Sequence, residues 1–105
     1  MYDYNNCLNL YVLYIINYNY LIMRVLWIDD EIDLLKPHII LLHQRGYEVE
    51  TATNGEDAIE LASQKHFDLV FLDESMMGMS GLETLSVLKD IDSSTPVVMV
   101  TKNEA

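Results

Sequence analysis

The chain has 105 residues, 50% hydrophobic and 22% charged, the size of one domain and the composition of a packed fold rather than a disordered one. Its formal net charge of −11 comes from 17 acidic residues against six basic ones. Six scattered cations cannot form the basic stripe that neutralises a nucleic-acid backbone, so sequence-independent nucleic-acid binding is excluded.

Residues 1–22 differ from everything after them. They hold six of the seven tyrosines, many asparagines and no lysine or arginine. The apolar stretch from Leu8 to Ile16 is shorter than the roughly 20 residues that cross a bilayer. It also lacks the positive region and small-residue cleavage site of a signal peptide. The segment is assigned to no domain. An extension upstream of a start at Met23, an added strand or helix, and a membrane-associated stub are its three readings, and the domain is placed at 23–105. Cys7, the single cysteine, excludes an internal disulfide and fits a reducing, cytoplasmic setting.

From Met23 the pattern becomes regular. Arg24 to Ile28 is a continuous apolar run ending in Asp29-Asp30, as a strand covered on both faces reads. Ile32, Leu35, Ile39 and Leu42 then share one helical face, with Pro37 predicted to bend that helix near its second turn and Gly46 to stop it. Tyr47 to Ala52 alternates as a second strand. Thr53-Asn54-Gly55-Glu56 has the spacing of a capping box and opens a second helix with Ala58, Leu61 and Ala62 inward. Phe67 to Leu72 is a third buried strand, followed by Asp73. Ser80-Gly81-Leu82-Glu83 is another capping box, starting a helix with Leu82, Leu85 and Leu88 inward, and Pro96 to Thr101 is the fourth strand. This βαβαβαβ alternation predicts an α/β fold with a parallel sheet and right-handed crossovers.

In such a sheet, ligands bind beyond the carboxyl ends of the strands where strand order reverses. If the chain crosses back after strand two, strands one and three become neighbours about 4.8 Å apart. Asp29, Asp30 and Asp73 then meet at one edge, and strand four brings Thr101 beside them. Three carboxylates at that range repel one another, and a hard divalent cation relieves them. Mg²⁺ prefers a few carboxylates, water and a substrate phosphate to a closed protein cage, so the group suits phosphoryl chemistry with one carboxylate as nucleophile. Met76, Met77, Met79 and Met99 read as adaptable filler rather than soft-metal ligands. His38, His43 and His66 show no ligand spacing with one another or with Cys7.

These residues resemble the receiver domain of two-component response regulators, over about Met23 to Lys102. The resemblance is carried by Val25-Leu-Trp-Ile-Asp29-Asp30-Glu31, by Asn54-Gly-Glu-Asp-Ala58, by Asp68-Leu-Val-Phe-Leu-Asp73 with Met76 and Gly81 after it, and by Pro96-Val-Val-Met-Val-Thr101. It implies a flavodoxin-like (CheY-like), doubly wound parallel sheet and a phosphoryl-accepting signalling switch. Asp73 would take the phosphoryl group from a phosphohistidine of a sensor histidine kinase. Asp30 and Asp73 would ligate Mg²⁺ directly, Asp29 through water, and the backbone carbonyl of Ser75 would complete the protein share. Thr101 would sense the phosphoryl oxygens, and Gly81 would relieve crowding after Asp73. Catalysis would be limited to self-phosphorylation and self-dephosphorylation.

Two departures stand out. Met77 occupies a position where the family commonly has proline. The chain also stops after strand four, where a receiver continues through a helix, a fifth strand bearing a functional lysine, and a last helix; Lys102 does not take that lysine's role. The chain therefore resembles the front three-quarters of a receiver, with its effector domain expected in the missing C-terminal part and its fourth strand exposed as an edge. The stretch from Trp27 to Ile39, with Leu72-Asp73-Glu74, is similar to receivers joined to a PglZ, alkaline-phosphatase-like effector. The alternatives are a phosphohydrolase or phosphotransferase of another family with an aspartate nucleophile, or a non-functional receiver remnant. Against the first, such enzymes typically place a second aspartate two residues after the nucleophile, where this chain has Ser75.

Overall fold

The apolar runs pair as the alternation predicts. The computed structural model describes residues 23–101; the 1–22 extension and Lys102 lie outside the described residues. Strands β1 (Arg24–Ile28), β2 (Glu48–Ala52), β3 (Leu69–Asp73) and β4 (Val97–Val100) form one parallel sheet in the order β2-β1-β3-β4. Helices α1 (Lys36–Gln44), α2 (Gly55–Gln64) and α3 (Gly81–Ile91) are the crossovers. The reversal after β2 makes β1 and β3 neighbours, with Ile28 beside Leu72.

One sheet face carries the core. Leu26, Ile28, Val70 and Leu72 pack with Ala58 of α2, Leu88 of α3 and Phe67. Leu26, Ile28 and Leu72 are fully buried, each stabilising the fold by about 1.5–3 kcal/mol. On the opposite face Trp27 packs against Phe71 at a centroid distance of 4.7 Å and against His38 of α1 at 6.5 Å.

Several local expectations change. The first helical segment is not one bent helix but a 3₁₀ turn, Ile32–Leu35, followed by α1, with Pro37 in the first turn of α1. Proline has no N–H and clashes with the carbonyl four residues back, so the α-helix begins where neither matters. The predicted inward residues Ile32, Leu35, Ile39 and Leu42 are the half-buried ones. Gly46, at φ +92°, closes α1 in a Schellman motif, with Tyr47 N–H donating to Leu42 O and Gly46 N–H to His43 O, both at 3.0 Å.

The cap of α2 sits one residue later than Thr53. Asn54 Oδ1 accepts from Asp57 N–H at 2.8 Å while its amide donates to Asp57 Oδ2 at 2.9 Å. The cap of α3 is Ser80 as predicted, accepting from Glu83 N–H at 3.1 Å. The inner face of α3 is instead Gly81, Thr84, Leu85 and Leu88, whereas Leu82 is 67% exposed. Counting the helical period from Gly81 rather than Leu82 gives this face. In β2, Thr51 is exposed and Glu50 half-buried. Glu50 meets Lys65 Nζ at 2.8 Å and Glu48 meets Arg24 Nε at 3.1 Å, as suits an edge strand.

Candidate phosphoryl-acceptor site

Register builds the site. Since Ile28 lies beside Leu72 in the parallel pair, the next residues, Asp29 and Asp73, leave the tips of β1 and β3 side by side. Both are about 1% exposed. Each is held by the same local device: Glu31 N–H donates to Asp29 Oδ1 at 2.8 Å, and Ser75 N–H donates to Asp73 Oδ1 at 3.1 Å. These two-residue loops turn the chain off the sheet and orient the carboxylates with backbone rather than with flexible side chains. Asp29 N–H also donates to Ala52 O, and Glu74 N–H to Val100 O, both at 3.0 Å, so the ladder extends to the site itself.

Asp30 is exposed and completes the triad. One carboxylate oxygen from each of Asp29, Asp30 and Asp73 lies within 4.8 Å of the others. The donor set is all oxygen and all anionic, with two members anchored and one at the surface, which fits a hard divalent cation that keeps part of its hydration. A cleft opens above it, lined by Asp30, Glu31, Glu74, Ser75, Met76 and Thr101. Thr101 is one residue beyond Val100, the partner of Asp73 in the β3–β4 ladder.

The structure thus brings together the acids predicted from sequence and sets Ser75 and Thr101 on the same cleft. Sequence reasoning missed Glu31 and Glu74 as cleft residues. Their adjacency to Asp30 and Asp73 was the available signal, since the chain turns away from the sheet at those positions. Gly81 is required by contact: a Cβ there would stand 2.6 Å from Asp73 O and 2.9 Å from the Cα and O of Glu74. At Gly55 a Cβ would collide with the Thr84 hydroxyl and meet Met79 Sδ at 3.0 Å, so the entry of α2 packs its bare backbone against side chains of α3 and of the loop before it.

Far from this site, at the opposite end of the sheet, His66 lies 3.3 Å from both Asp68 and Asp92. The Ser94 hydroxyl and N–H both donate to Asp92 and, with a smaller contribution from His66, hold its carboxyl at about 2. Among the described residues no helix is long and apolar enough to cross a membrane.

Comparison with known proteins agrees with this geometry. The chain is 37% identical over 78 residues to the CpxR homolog, a transcriptional regulatory protein of Haemophilus influenzae, covering 74% of this chain and 34% of that one. It is 33% identical over 82 residues to the transcriptional regulatory protein YkoG of Bacillus subtilis, covering 78% and 36%. The chain therefore spans about a third of the length of these relatives. Among solved structures, chemotaxis protein CheY4 of Vibrio cholerae superposes with a TM-score of 0.73 at 31% identity, covering 80% of this chain and 72% of that one. Response regulator TrrA of Thermotoga maritima, solved with Mg²⁺ and beryllofluoride, gives 0.72 at 32%, covering 79% and 72%; TrrA has also been solved with the histidine kinase ThkA. With the family model of the response regulator receiver domain matching residues 25–105, the chain belongs to that family.

Proposed function

We propose that this receiver domain is a Mg²⁺-dependent phosphoryl-accepting switch in which Asp73 is the acceptor. The observation that supports this reading best is the side-by-side placement of Asp29 and Asp73 with Asp30 within 4.8 Å. TrrA, similar in fold and sequence, binds Mg²⁺ and beryllofluoride, a phosphoryl mimic, and pairs with a histidine kinase. Here the donor is the phosphohistidine of a sensor histidine kinase, the setting is cytoplasmic, and the output belongs to an effector domain outside these residues.

In this reading Asp30 and Asp73 would hold the cation directly, Asp29 would hold it through water, and the Ser75 backbone carbonyl would complete the protein share. When bound, the cation offsets the charge of the acids and of the incoming phosphoryl oxygens. Ser75 N–H holds the Asp73 carboxylate in a fixed orientation, so one of its oxygens can approach phosphorus in line. An O–P bond forms as the P–N bond of the donor breaks, and the electron pair returns to the imidazole nitrogen. Thr101, one residue past the partner of Asp73, offers its hydroxyl to the new phosphoryl oxygens. The chemistry is self-directed, consisting of acceptance of the group and its later loss to water.

Trp27 supplies the assay. It is the only tryptophan, lies two residues before Asp29 on the same strand, and packs on Phe71, two residues before Asp73. Mg²⁺ with beryllofluoride should change its fluorescence saturably. Asp73→Asn should abolish that response, while Asp90→Asn, an exposed α3 position, should retain it. A full response from Asp73→Asn would refute the acceptor assignment.

A further inference from the structure

Glu74 is the first residue beyond β3, and neither the triad nor the proposed transfer uses it. Its backbone is fixed by the 3.0 Å bond to Val100 O and by the close approach of Gly81. It is exposed, and it lines the cleft with Asp30, Glu31 and Thr101. Among the described residues no lysine or arginine lines that cleft. A fixed negative charge in this place acts on whatever enters, attracting a cation and repelling an anion, and salt screens both effects.

We propose that Glu74 is a specificity-determining residue of the phosphoryl site, strengthening divalent-cation binding while disfavouring free anionic phosphodonors. The inference rests on the assignment of Asp73 as acceptor and of the triad as the cation site. Glu74 is not a ligand in it; its carboxylate tunes the field at the mouth. Small donors such as acyl phosphates arrive as anions and meet this charge before they meet the cation. Removing the charge should therefore shift the two affinities in opposite directions, which a packing defect would not do.

The test compares Glu74→Gln with Glu60→Gln, a change of equal charge at an exposed position on α2. Trp27 fluorescence reads Mg²⁺ affinity without any phosphodonor, then beryllofluoride affinity at saturating Mg²⁺, at low and at high salt. At low salt Glu74→Gln should weaken Mg²⁺ about two- to fivefold and tighten beryllofluoride by about the same factor, the size expected of one screened unit charge nearby. Both differences should shrink near 1 M salt, where the Debye length falls to about 3 Å. Glu60→Gln should match the wild-type protein. The proposal is overturned if Glu74→Gln behaves like Glu60→Gln, or if both affinities move the same way. If the wild-type chain gives no beryllofluoride response, or Asp73→Asn gives a full one, the acceptor assignment fails, a result distinct from either of those.

Discussion

Replacing Asp29 by asparagine should stabilise the cation-free protein and at the same time remove most of its response to Mg²⁺. The Asp29 and Asp73 carboxylates are both about 1% exposed, with oxygens no more than 4.8 Å apart. At that separation two unit charges repel by about 1 kcal/mol in a water-like dielectric and about 3 kcal/mol at an effective dielectric of 20. Asp30 adds a second, more screened repulsion. The amide that replaces the carboxylate would keep an oxygen to accept Glu31 N–H, so the change would lose only the charge-assisted part of that bond, about 1 kcal/mol. The balance favours Asp29→Asn by about 1–2 kcal/mol without cation, or roughly 5–10 °C in melting temperature for a domain of this size. Saturating Mg²⁺ should raise the wild-type melting point by ligand linkage and raise that of the variant far less, so the order of stabilities narrows or inverts. Thermal melts followed by circular dichroism, in EDTA and in excess Mg²⁺, decide the matter. An Asp29→Asn protein less stable than wild type in EDTA, with an undiminished Mg²⁺ shift, would show that the buried acids neither repel one another nor share a cation.

Gly81→Ala should cost about 1–3 kcal/mol, the usual penalty of overpacking, because its Cβ meets only backbone, at 2.6 Å from Asp73 O. It should also weaken Mg²⁺ in a fluorescence titration, whereas Gly55→Ala, which presses on Thr84 and Met79 instead, should destabilise the fold with little change in Mg²⁺ affinity. At the far end of the sheet, the folded value of about 2 for Asp92 lies below its ordinary 3.8. The stability it contributes is fully present above 3.8 and is lost as pH falls through about 2. Ser94→Ala should move the Asp92 titration, followed by carboxyl NMR, back toward 3.8, and a value that stays near 2 would show that Ser94 is not the cause.

The parallel topology and the meeting of Asp29, Asp30 and Asp73 were legible because one periodicity governs both. A buried strand must be apolar along its length, so its end is marked by the first charged residue, and that residue is the one delivered to the sheet edge. What the sequence hid was finer. The offset of the α2 cap from Thr53 to Asn54 depends on which of two adjacent polar side chains takes the extended conformation, and the two spacings, Thr-x-x-Glu and Asn-x-x-Asp, are offset by a single residue. The spacing of Leu82, Leu85 and Leu88 predicts all three side chains inward. The close approach of Gly81 to Asp73 and Glu74 rotates α3 so that Thr84, not Leu82, faces inward. Pro37 predicts a bend because the apolar period runs through it; a 3₁₀ turn joined to a new helix preserves that period nearly as well.

The site asks of the fold what folding alone opposes, namely two anionic carboxylates drawn almost wholly out of solvent beside each other. The structure meets this by placing them where the backbone has least freedom. Asp29 and Asp73 each follow a fully buried residue, Ile28 and Leu72, and each is followed by a turn bonded back to its own carboxylate. The hydrophobic core beneath therefore sets the spacing of the acids, and the charges cannot relax apart without breaking the β1–β3 ladder. A loop-borne triad would splay in the absence of cation and would have to be gathered again on binding. A pair fixed by register, Asp29 with Asp73, keeps its repulsion stored in the cation-free state, so that binding a cation relieves repulsion instead of ordering those two acids.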